Sequence, residues 1–312
     1  MLHKNHDHCP VRIIEPYPIT HRFKVKESED GMTLSSLMHE KFPFRSSDDW
    51  IQKIKKGYVG IENSSNNKPD QILKSGDRLF HHNPRVIEPA VPDEVRVISV
   101  SDEYLIAYKP APMPVHPGGR YNKNTLTSIL AGMGYEDLKV VHRLDAVTMG
   151  LILFARNKNT ARRAMESFAS GKVKKNYYAL VDGVPEEDSA DIDTPVRRKK
   201  GFVFESELGL KQAKEALTHF EVILRGTDKS IISCRPVTGR THQIRLHLRQ
   251  WGYPITDDHV YKEKDPGLSS PQKHAISLIN AGLSIPDLEI SAELPVPEKW
   301  MHLINPEDTP LQ

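Results

Sequence analysis

Three prolines separate two parts of the chain that differ in residue pattern. Pro84, Pro89 and Pro92 fall within NPRVIEPAVPDEV, and this spacing favours an extended connection because each ring fixes φ and removes a backbone donor. The chain has 312 residues, about twice the size of an ordinary domain, so two domains are expected. The sequence therefore predicts four segments: a flexible leader over 1–25, a small domain over 26–83, a linker over 84–97 and a larger domain over 98–305.

The composition is that of a globular protein without membrane or secretory features. Hydrophobic residues make up 38% of the chain, and the best apolar run, Leu151–Ala155, is far shorter than the ~18–20 residues of a transmembrane helix. The first ten residues are polar, unlike the core of a secretory signal. Two cysteines, Cys9 and Cys234, cannot form a disulfide framework. We therefore expect a cytoplasmic protein with no membrane partner, and we take a monomer as the default because the sequence does not indicate an oligomeric state.

The formal net charge of +2 results from a cancellation between separate charged windows. Residues 156–175 contain seven Lys or Arg and one acid, and residues 235–249 contain four Arg and no acid. Residues 251–312 hold ten Asp or Glu against four Lys. In the second window the arginines alternate with Ile and Leu, which predicts a strand or an amphipathic segment with one basic side. Such a surface can capture a phosphate backbone.

The small domain has the pattern of an α/β module. Leu34, Leu37 and Met38 have the spacing of one helical face, and a second helix follows that ends at Gly57. Strand patterns come next, and the second helix carries three lysines, Lys53, Lys55 and Lys56. Two short helices followed by a small hairpin resemble the S-four-type RNA-binding domain of ribosomal proteins. A small α/β module with another purpose is the alternative interpretation.

The larger domain is dominated by strand patterns. Two helices are predicted, over Leu126–Met133 and Lys158–Ser170. The predicted strands are Val95–Val100, Tyr104–Tyr108, Gly150–Ala155, Tyr177–Val181, Leu217–Leu224, Ser230–Arg235 and Gln243–Leu248. The fold class is therefore α+β: a small α/β module followed by a mixed domain with a substantial, mainly antiparallel sheet.

A polar cluster precedes the most apolar of these strands. His142-Arg143-Leu144-Asp145 comes directly before Gly150–Ala155, and a carboxylate at the mouth of a buried strand is costly unless it is paired or functional. Arg143 could pair with Asp145 in a simple turn lock, so these residues alone leave both interpretations open.

The cluster begins a stretch that resembles RluA-type RNA pseudouridine synthases. HRLDAVTMGLILFAR, which starts at His142, is similar to the family motif H-R-L-D-x-x-T-S-G-L-L-L-F-A-K. Four further similarities follow the family's order: EYLIAYKPAPMPVHPGGRYNKNT at 103–125, KNYYALVDG at 175–183, PVTGRTHQIRLHLRQWGYPITDDHVY at 236–261, and His274-Ala275 with Leu278. Many family members also carry an RNA-binding module where residues 26–83 lie.

The resemblance implies a reaction and three catalytic residues. The family breaks the glycosidic bond of a uridine in RNA, rotates the base and rejoins it through carbon 5, without a cofactor or metal. Asp145 would be the catalytic carboxylate, either as a nucleophile or by stabilising an oxocarbenium-like sugar. Arg245 would be the fixed cation beside it, since a guanidinium can bind a carboxylate in bidentate fashion. Tyr177 would stack on the base and handle a proton, although a core aromatic is its alternative.

The resemblance also implies residues that contact RNA. Arg143 would insert where the flipped base was or hold a phosphate, and Arg240 would lie near the RNA or the turn. Leu278 would form the pocket wall. His116 and Arg120 would flank the RNA, or belong to a solvated loop.

The expected partner is a structured RNA, either ribosomal or transfer RNA. A catalytically idle RNA-binding or RNA-chaperone protein is the alternative function. His3, His6, His8 and Cys9 could ligate a metal, but in a flexible leader we expect none. His242 and His247 would point to opposite faces of the predicted strand Gln243–Leu248, which makes them a poor metal pair.

Overall fold

A computed structural model describes residues 11–64, 66–262 and 274–304, which form two compact units. The smaller unit is residues 14–88, and the larger one comprises the other described residues. The described strands are β1 (Val11–Arg12), β2 (Tyr17–Lys24), β3 (Val59–Ile61), β4 (Arg78–Val86), β5 (Val91–Pro92), β6 (Arg96–Val100), β7 (Tyr104–Lys109), β8 (Lys139–Val140), β9 (Met149–Ala155), β10 (Lys174–Asp182), β11 (Ser189–Ile192), β12 (Val196–Lys200), β13 (Val203–Ser206), β14 (Thr218–Arg225), β15 (Lys229–Pro236), β16 (Leu278–Ile285) and β17 (Ile290–Glu293). The described helices are α1 (Leu34–Lys41), α2 (Ser47–Lys55), α3 (Leu126–Gly132), α4 (Lys158–Ala169), α5 (Gln243–Trp251) and α6 (Glu298–Ile304). None of these described helices has the length and apolarity needed to cross a membrane.

The smaller unit packs helices α1 and α2 with a three-stranded antiparallel sheet of order β2-β4-β3. Each helix starts at a hydroxyl cap: Thr33 accepts from the amide of Ser36, and Ser46 accepts from the amide of Asp49. The predicted apolar faces are buried in one core that includes Leu34, Leu37, Met38, Trp50 and Ile54. The predictions of both helices are therefore confirmed.

The predicted leader and linker contain more regular structure than expected. Residues 17–24 form β2, an edge strand that pairs with β4 along the sheet of the smaller unit. Pro84 lies within β4, and Val91–Pro92 pairs with Val11–Arg12. β3 pairs only with residues 79–81 of β4, so Pro84 lies where β4 is no longer paired on both sides and a missing donor is tolerated.

The larger unit is built on a mainly antiparallel sheet, which confirms the predicted α+β class. Its strand order is β11-β14-β15-β10-β16-β9-β7-β6, with β17 paired to β16 and β8 paired to β9. The pair β16–β9 is parallel, and the other pairs are antiparallel. Six of the seven predicted strands and both predicted helices are present within one or a few residues. The sequence did not predict β16, which is a central strand that lies between β9 and β10.

The prediction of a strand over Gln243–Leu248 is wrong, because this segment is helix α5. All six residues are buried, so the alternation of basic and apolar side chains does not indicate an element with one face in solvent. Tertiary packing thus overrides the local pattern. His242 precedes the helix in a left-handed conformation, and His247 lies within the helix and forms hydrogen bonds with Thr218 and Thr194. The expectation that these two histidines point to opposite faces of a strand therefore does not apply.

Strand β9 is the most apolar stretch of the chain, and the packing on its two faces explains this composition. All seven of its residues are buried. Ile152 and Phe154 pack in a cluster with Leu126 and Leu130 of α3, while Leu151 and Leu153 pack in a second cluster that includes Ala164 of α4. Because successive side chains point to opposite faces, a strand covered on both faces must be continuously apolar.

Gly150 allows the close approach of β9 to β16. Its φ is +117°, and a Cβ at this position would lie 2.3 Å from the carbonyl oxygen of Asn280. Asn280 also donates its side-chain amide to the carbonyl of Leu151 at 2.7 Å, which fastens the same two strands. Any side chain at residue 150 would force these backbones apart.

We therefore expect Gly150→Ala to lower the free energy of unfolding of the larger unit by about 2–4 kcal/mol, from the backbone clash together with the positive φ. Urea unfolding measures this loss. Gly132→Ala at the end of α3 is the matched control, because a Cβ there meets nothing within 4 Å. Equal stability of the two variants would contradict the proposed close approach.

Candidate active site

A cleft of about 370 Å³ in the larger unit collects side chains from distant parts of the sequence. It is lined by residues of the turn before β9, of β10, of the loop that follows β15, of α5 and of β16. The predicted site residues that line it are Asp145, Tyr177, Arg245, Arg143, Arg240 and Leu278. A pocket of this size falls within the ~300–1,000 Å³ typical of small-ligand sites.

Asp145 lies in the turn that enters β9, and its side chain is 28% exposed. Its carbonyl accepts from the amide of Thr148 at 3.1 Å, which closes the turn. The carboxylate faces His242, whose Nε2 is 3.7 Å from Oδ2. No ion pair joins Arg143 to Asp145 in the part of the chain that the structure describes; Arg143 donates instead to Thr241 at 3.3 Å. The turn-lock interpretation is therefore not supported.

Lys109 holds the turn that carries Asp145. This fully buried lysine donates from Nζ to the carbonyls of Pro110, Met113 and Ala146 at 2.8–3.2 Å. The amide of Met113 donates to the same Ala146 carbonyl at 2.8 Å. Burial lowers the pKa of Lys109 to about 7, and the charge of Asp145 opposes this shift. The residue after Asp145 is thus fixed by two donors.

Tyr177 lines the cleft from β10, next to a bulge between Asn176 and Tyr177. Burial raises the pKa of its phenol, and the charge of Asp145 raises it further. The phenol therefore keeps its proton at neutral pH. Tyr178 packs on the other face of the sheet against a cluster that contains Leu180 and Trp300, as expected from the alternation of a strand.

Arg245 projects from α5 and forms a buried bidentate ion pair with Asp258. Its Nε and Nη2 donate to the two carboxylate oxygens at 2.6 and 2.7 Å, and both side chains are only 2% exposed. Burial disfavours the charged guanidinium, but the bonds to Asp258 and the charge of Asp145 outweigh it and raise the pKa of Arg245. The bidentate partner of Arg245 is thus Asp258, and Asp145 interacts with the guanidinium through its charge.

The remaining predicted residues occupy different environments. Arg240 donates from Nε to the carbonyl of Glu215 at 2.9 Å, and Leu278 is buried at the start of β16. His116 and Arg120 are exposed and do not line the cleft. Three lysines lie on or just after α2 of the smaller unit: Lys53, Lys55 and Lys56.

His142 is a packed residue of the larger unit. Its Nε2 accepts from the amide of Leu153 at 2.9 Å, and the ring stacks on Phe168 with centroids 4.7 Å apart. Burial lowers the pKa of His142 to about 3, so the ring is neutral and can accept this bond.

Sequence reasoning missed four residues in or next to this cleft: Lys109, His242, Asp258 and Tyr261. Lys109 had a usable signal, since a lysine ends the apolar strand YLIAYK and must be desolvated there. The other three had none beyond their membership of a motif, because their partners are distant in sequence. His3, His6, His8 and Cys9 lie outside the described residues. Within the described ranges no group of three His, Cys, Asp or Glu side chains could hold a metal ion.

Comparisons with known proteins agree with this arrangement. Residues 103–250 match the family model described as RNA pseudouridylate synthase. An RNA pseudouridine synthase of Zymomonas mobilis, itself uncharacterised, is 37% identical over 217 residues that cover 67% of this chain and 96% of that protein. The chain belongs to the RNA pseudouridylate synthase family.

Two further members of the family show how much of the chain is shared. The mitochondrial tRNA pseudouridine(32) synthase of Saccharomyces cerevisiae is 32% identical over 265 residues, which cover 82% of this chain and 56% of that enzyme. The solved structure of human RNA pseudouridylate synthase domain containing 1 has a TM-score of 0.57 and 25% identity, and covers 70% of this chain and 90% of that one. The chain spans 56–66% of the length of three longer curated relatives.

The buried ion pair predicts a large loss of stability when its anion is neutralised. Asp258→Asn keeps an oxygen for the amide of Tyr261 but leaves the Arg245 charge buried without compensation, which should lower the free energy of unfolding by about 3–5 kcal/mol. Glu221→Gln is the matched control, since its pair with Arg235 is 49–53% exposed and such pairs contribute about 0–1 kcal/mol. Urea unfolding compares the two, and similar losses would contradict the assignment.

Proposed function

We propose that this protein is an RNA pseudouridine synthase that isomerises uridines of a structured RNA, with Asp145 as the catalytic carboxylate. The observation that supports this most strongly is that Asp145, Tyr177 and Arg245 line one cleft, although they come from a turn, a strand and a helix far apart in sequence. Isomerisation needs no co-substrate, so a carboxylate, a proton-bearing phenol and a fixed cation supply the groups that it requires.

Asp145 would act on the sugar of the extruded nucleotide. Its partial exposure leaves the carboxylate accessible, while the two donors to the Ala146 carbonyl hold its turn in place. The anion either bonds to the sugar carbon or stabilises an oxocarbenium-like sugar as the glycosidic bond breaks. Both routes need the carboxylate ionised.

Arg245 and Tyr177 would assist from the two sides of the cleft. Because Asp258 fixes the guanidinium, its charge stays at one distance from Asp145 and stabilises the anion through space. Tyr177 would stack on the base, and its raised pKa suits it to hold a proton and return it rather than to act as a base at neutral pH.

Arg143 and Arg240 would hold the RNA at the rim, and Leu278 would contact the base. Extrusion of the base leaves a gap in the RNA stack, and the exposed Arg143 side chain is suited to fill it or to bind the adjacent phosphate. His116 and Arg120, which lie on an exposed loop, would contact RNA outside the cleft.

The substrate we propose is ribosomal or transfer RNA. The charge windows and the RNA-modifying relatives support an RNA, while the choice between the two classes depends on shape contacts at a distance from the cleft. We further propose that the protein works as a monomer in the cytoplasm. The unpaired, buried Cys234 is compatible with a reducing compartment.

Asp145→Asn tests the assignment directly. RNA that contains carbon-5-tritiated uridine releases tritium when the new carbon–carbon bond forms, and we expect the variant to lose at least ~10³-fold of this release because the acting anion is gone. Asp102→Asn, at a fully exposed side chain, is the matched control and should react at the wild-type rate. Normal release from Asp145→Asn would reject Asp145 as the catalytic carboxylate, whereas an idle RNA-binding protein would release no tritium even as wild type.

We also propose that the smaller unit is an S-four-like domain that binds RNA through α2 and its neighbours. Burial lowers the pKa of Lys53, and the charge of nearby Arg45 lowers it further, as expected in a cluster of cations. Phe44 is 75% exposed, and the Arg45 guanidinium lies 5.9 Å from its ring centroid. An exposed aromatic beside several cations offers both stacking and phosphate contacts.

Joint substitution of Lys53, Lys55 and Lys56 by Gln tests this surface. We expect weaker binding to a long RNA, with the slope of log K against log salt falling by about 0.9 for each lysine that contacts a phosphate, and a smaller effect on a short substrate. Lys24, Lys68 and Lys74, all exposed in the same unit, provide a control variant of equal charge. An unchanged slope would mean that α2 does not contact RNA.

A further inference from the structure

A chain of polar contacts leads from the β12–β13 hairpin to the carboxylate of Asp145. The amide of Phe204 donates to the hydroxyl of Tyr261 at 2.9 Å. That hydroxyl lies 2.6 Å from Nδ1 of His242, and Nε2 of the same ring lies 3.7 Å from Oδ2 of Asp145. His242 is therefore the side chain that links this series of contacts to the carboxylate of Asp145.

The partners of Tyr261 fix which nitrogen of His242 carries the proton. Tyr261 is 1% exposed, so its single O–H hydrogen needs an acceptor inside the protein. The amide of Phe204 occupies the hydroxyl as a donor, which leaves Nδ1 of His242 as the acceptor of the O–H. Burial lowers the pKa of His242 to about 4 despite the charge of Asp145, so the ring is neutral. A neutral ring that accepts at Nδ1 carries its hydrogen on Nε2, and Nε2 faces Asp145.

The ring of His242 is held firmly in this orientation. It makes edge-to-face contacts with Phe204 and Tyr261, whose centroids lie 5.2 and 5.4 Å away. The Arg245 guanidinium lies 4.7 Å from the centroid of Tyr261, and Asp258 accepts both from Arg245 and from the amide of Tyr261. Asp258 and Tyr261 therefore hold both the Arg245 guanidinium and the His242 ring in place.

We propose that His242 is a positioning residue for Asp145: its Nε2–H donates to Oδ2 and orients the carboxylate so that Oδ1 faces the sugar. This role rests on the function proposed above. The distance of 3.7 Å is longer than a hydrogen bond, and such contacts commonly shorten when substrate fills a site. Tyr261 acts through His242, because its hydroxyl sets the tautomer.

Two substitutions of His242 separate this role from simple packing. His242 has a φ of +60°, a left-handed conformation that Asn adopts more readily than Gln. A Gln amide reaches the position of the imidazole Nε2, whereas an Asn amide reaches that of Nδ1. A positioning role therefore favours Gln over Asn, while a structural role at this turn favours Asn over Gln.

We expect His242→Asn to reduce the single-turnover rate of tritium release about tenfold or more, as the loss of a hydrogen bond to a charged group implies, with RNA affinity unchanged. His242→Gln should recover the rate to within about threefold of wild type. A rate for His242→Asn equal to or above that of His242→Gln would overturn the proposal.

The tautomer can be measured without any activity. Nitrogen-15 spectra of histidine-labelled protein should show Nε2 of His242 protonated and Nδ1 unprotonated, with the signals assigned by their loss in His242→Asn. Protonation at Nδ1 would overturn the proposal even in an active enzyme. Absence of tritium release from wild-type protein with the expected tautomer would instead count against the proposed function.

Discussion

The cleft that holds the proposed active site depends on the close parallel pairing of β9 with β16. β16 lies between β9, which follows the turn of Asp145, and β10, which carries Tyr177. The approach requires a residue without a Cβ at Gly150, and the side chain of Asn280 fastens it by donating to β9. A wider separation of β9 from β16 would move the carboxylate away from the phenol, and a misplacement of about 1 Å between reacting groups can cost ~10²-fold in rate.

The chemistry of the cleft rests on buried charge that is compensated elsewhere. Arg245 keeps its charge because Asp258 satisfies it, and the Asp145 carboxylate is left without a bidentate partner and accessible from the cleft. Lys109 fixes the turn of Asp145 through main-chain carbonyls rather than through the carboxylate. Neither Arg245 nor Lys109 therefore forms a hydrogen bond to the carboxylate oxygens of Asp145.

Several elements could be predicted from sequence because their signals are local. Burial confirms the continuous apolar stretch of β9 and the helical periodicities of the capped helices α1 and α2. Two elements could not be predicted in this way. The first six residues of α5 are all buried, so its sequence shows no contrast between a polar and an apolar helix face. β16 reads LINAGLSI, whose Asn and Gly reflect contact with a neighbouring strand rather than a local preference.

The sequence by itself determined the residue types and their order: an acid before an apolar strand, a tyrosine in a later strand and an arginine in a basic window, in the order typical of one enzyme family. Only the tertiary structure decided their partners. Asp258 rather than Asp145 receives the guanidinium fork, and Tyr261 directs the imidazole of His242 toward Asp145. The physical reason is that hydrogen-bond geometry and desolvation depend on neighbours brought together by packing, which spacing along the chain does not specify.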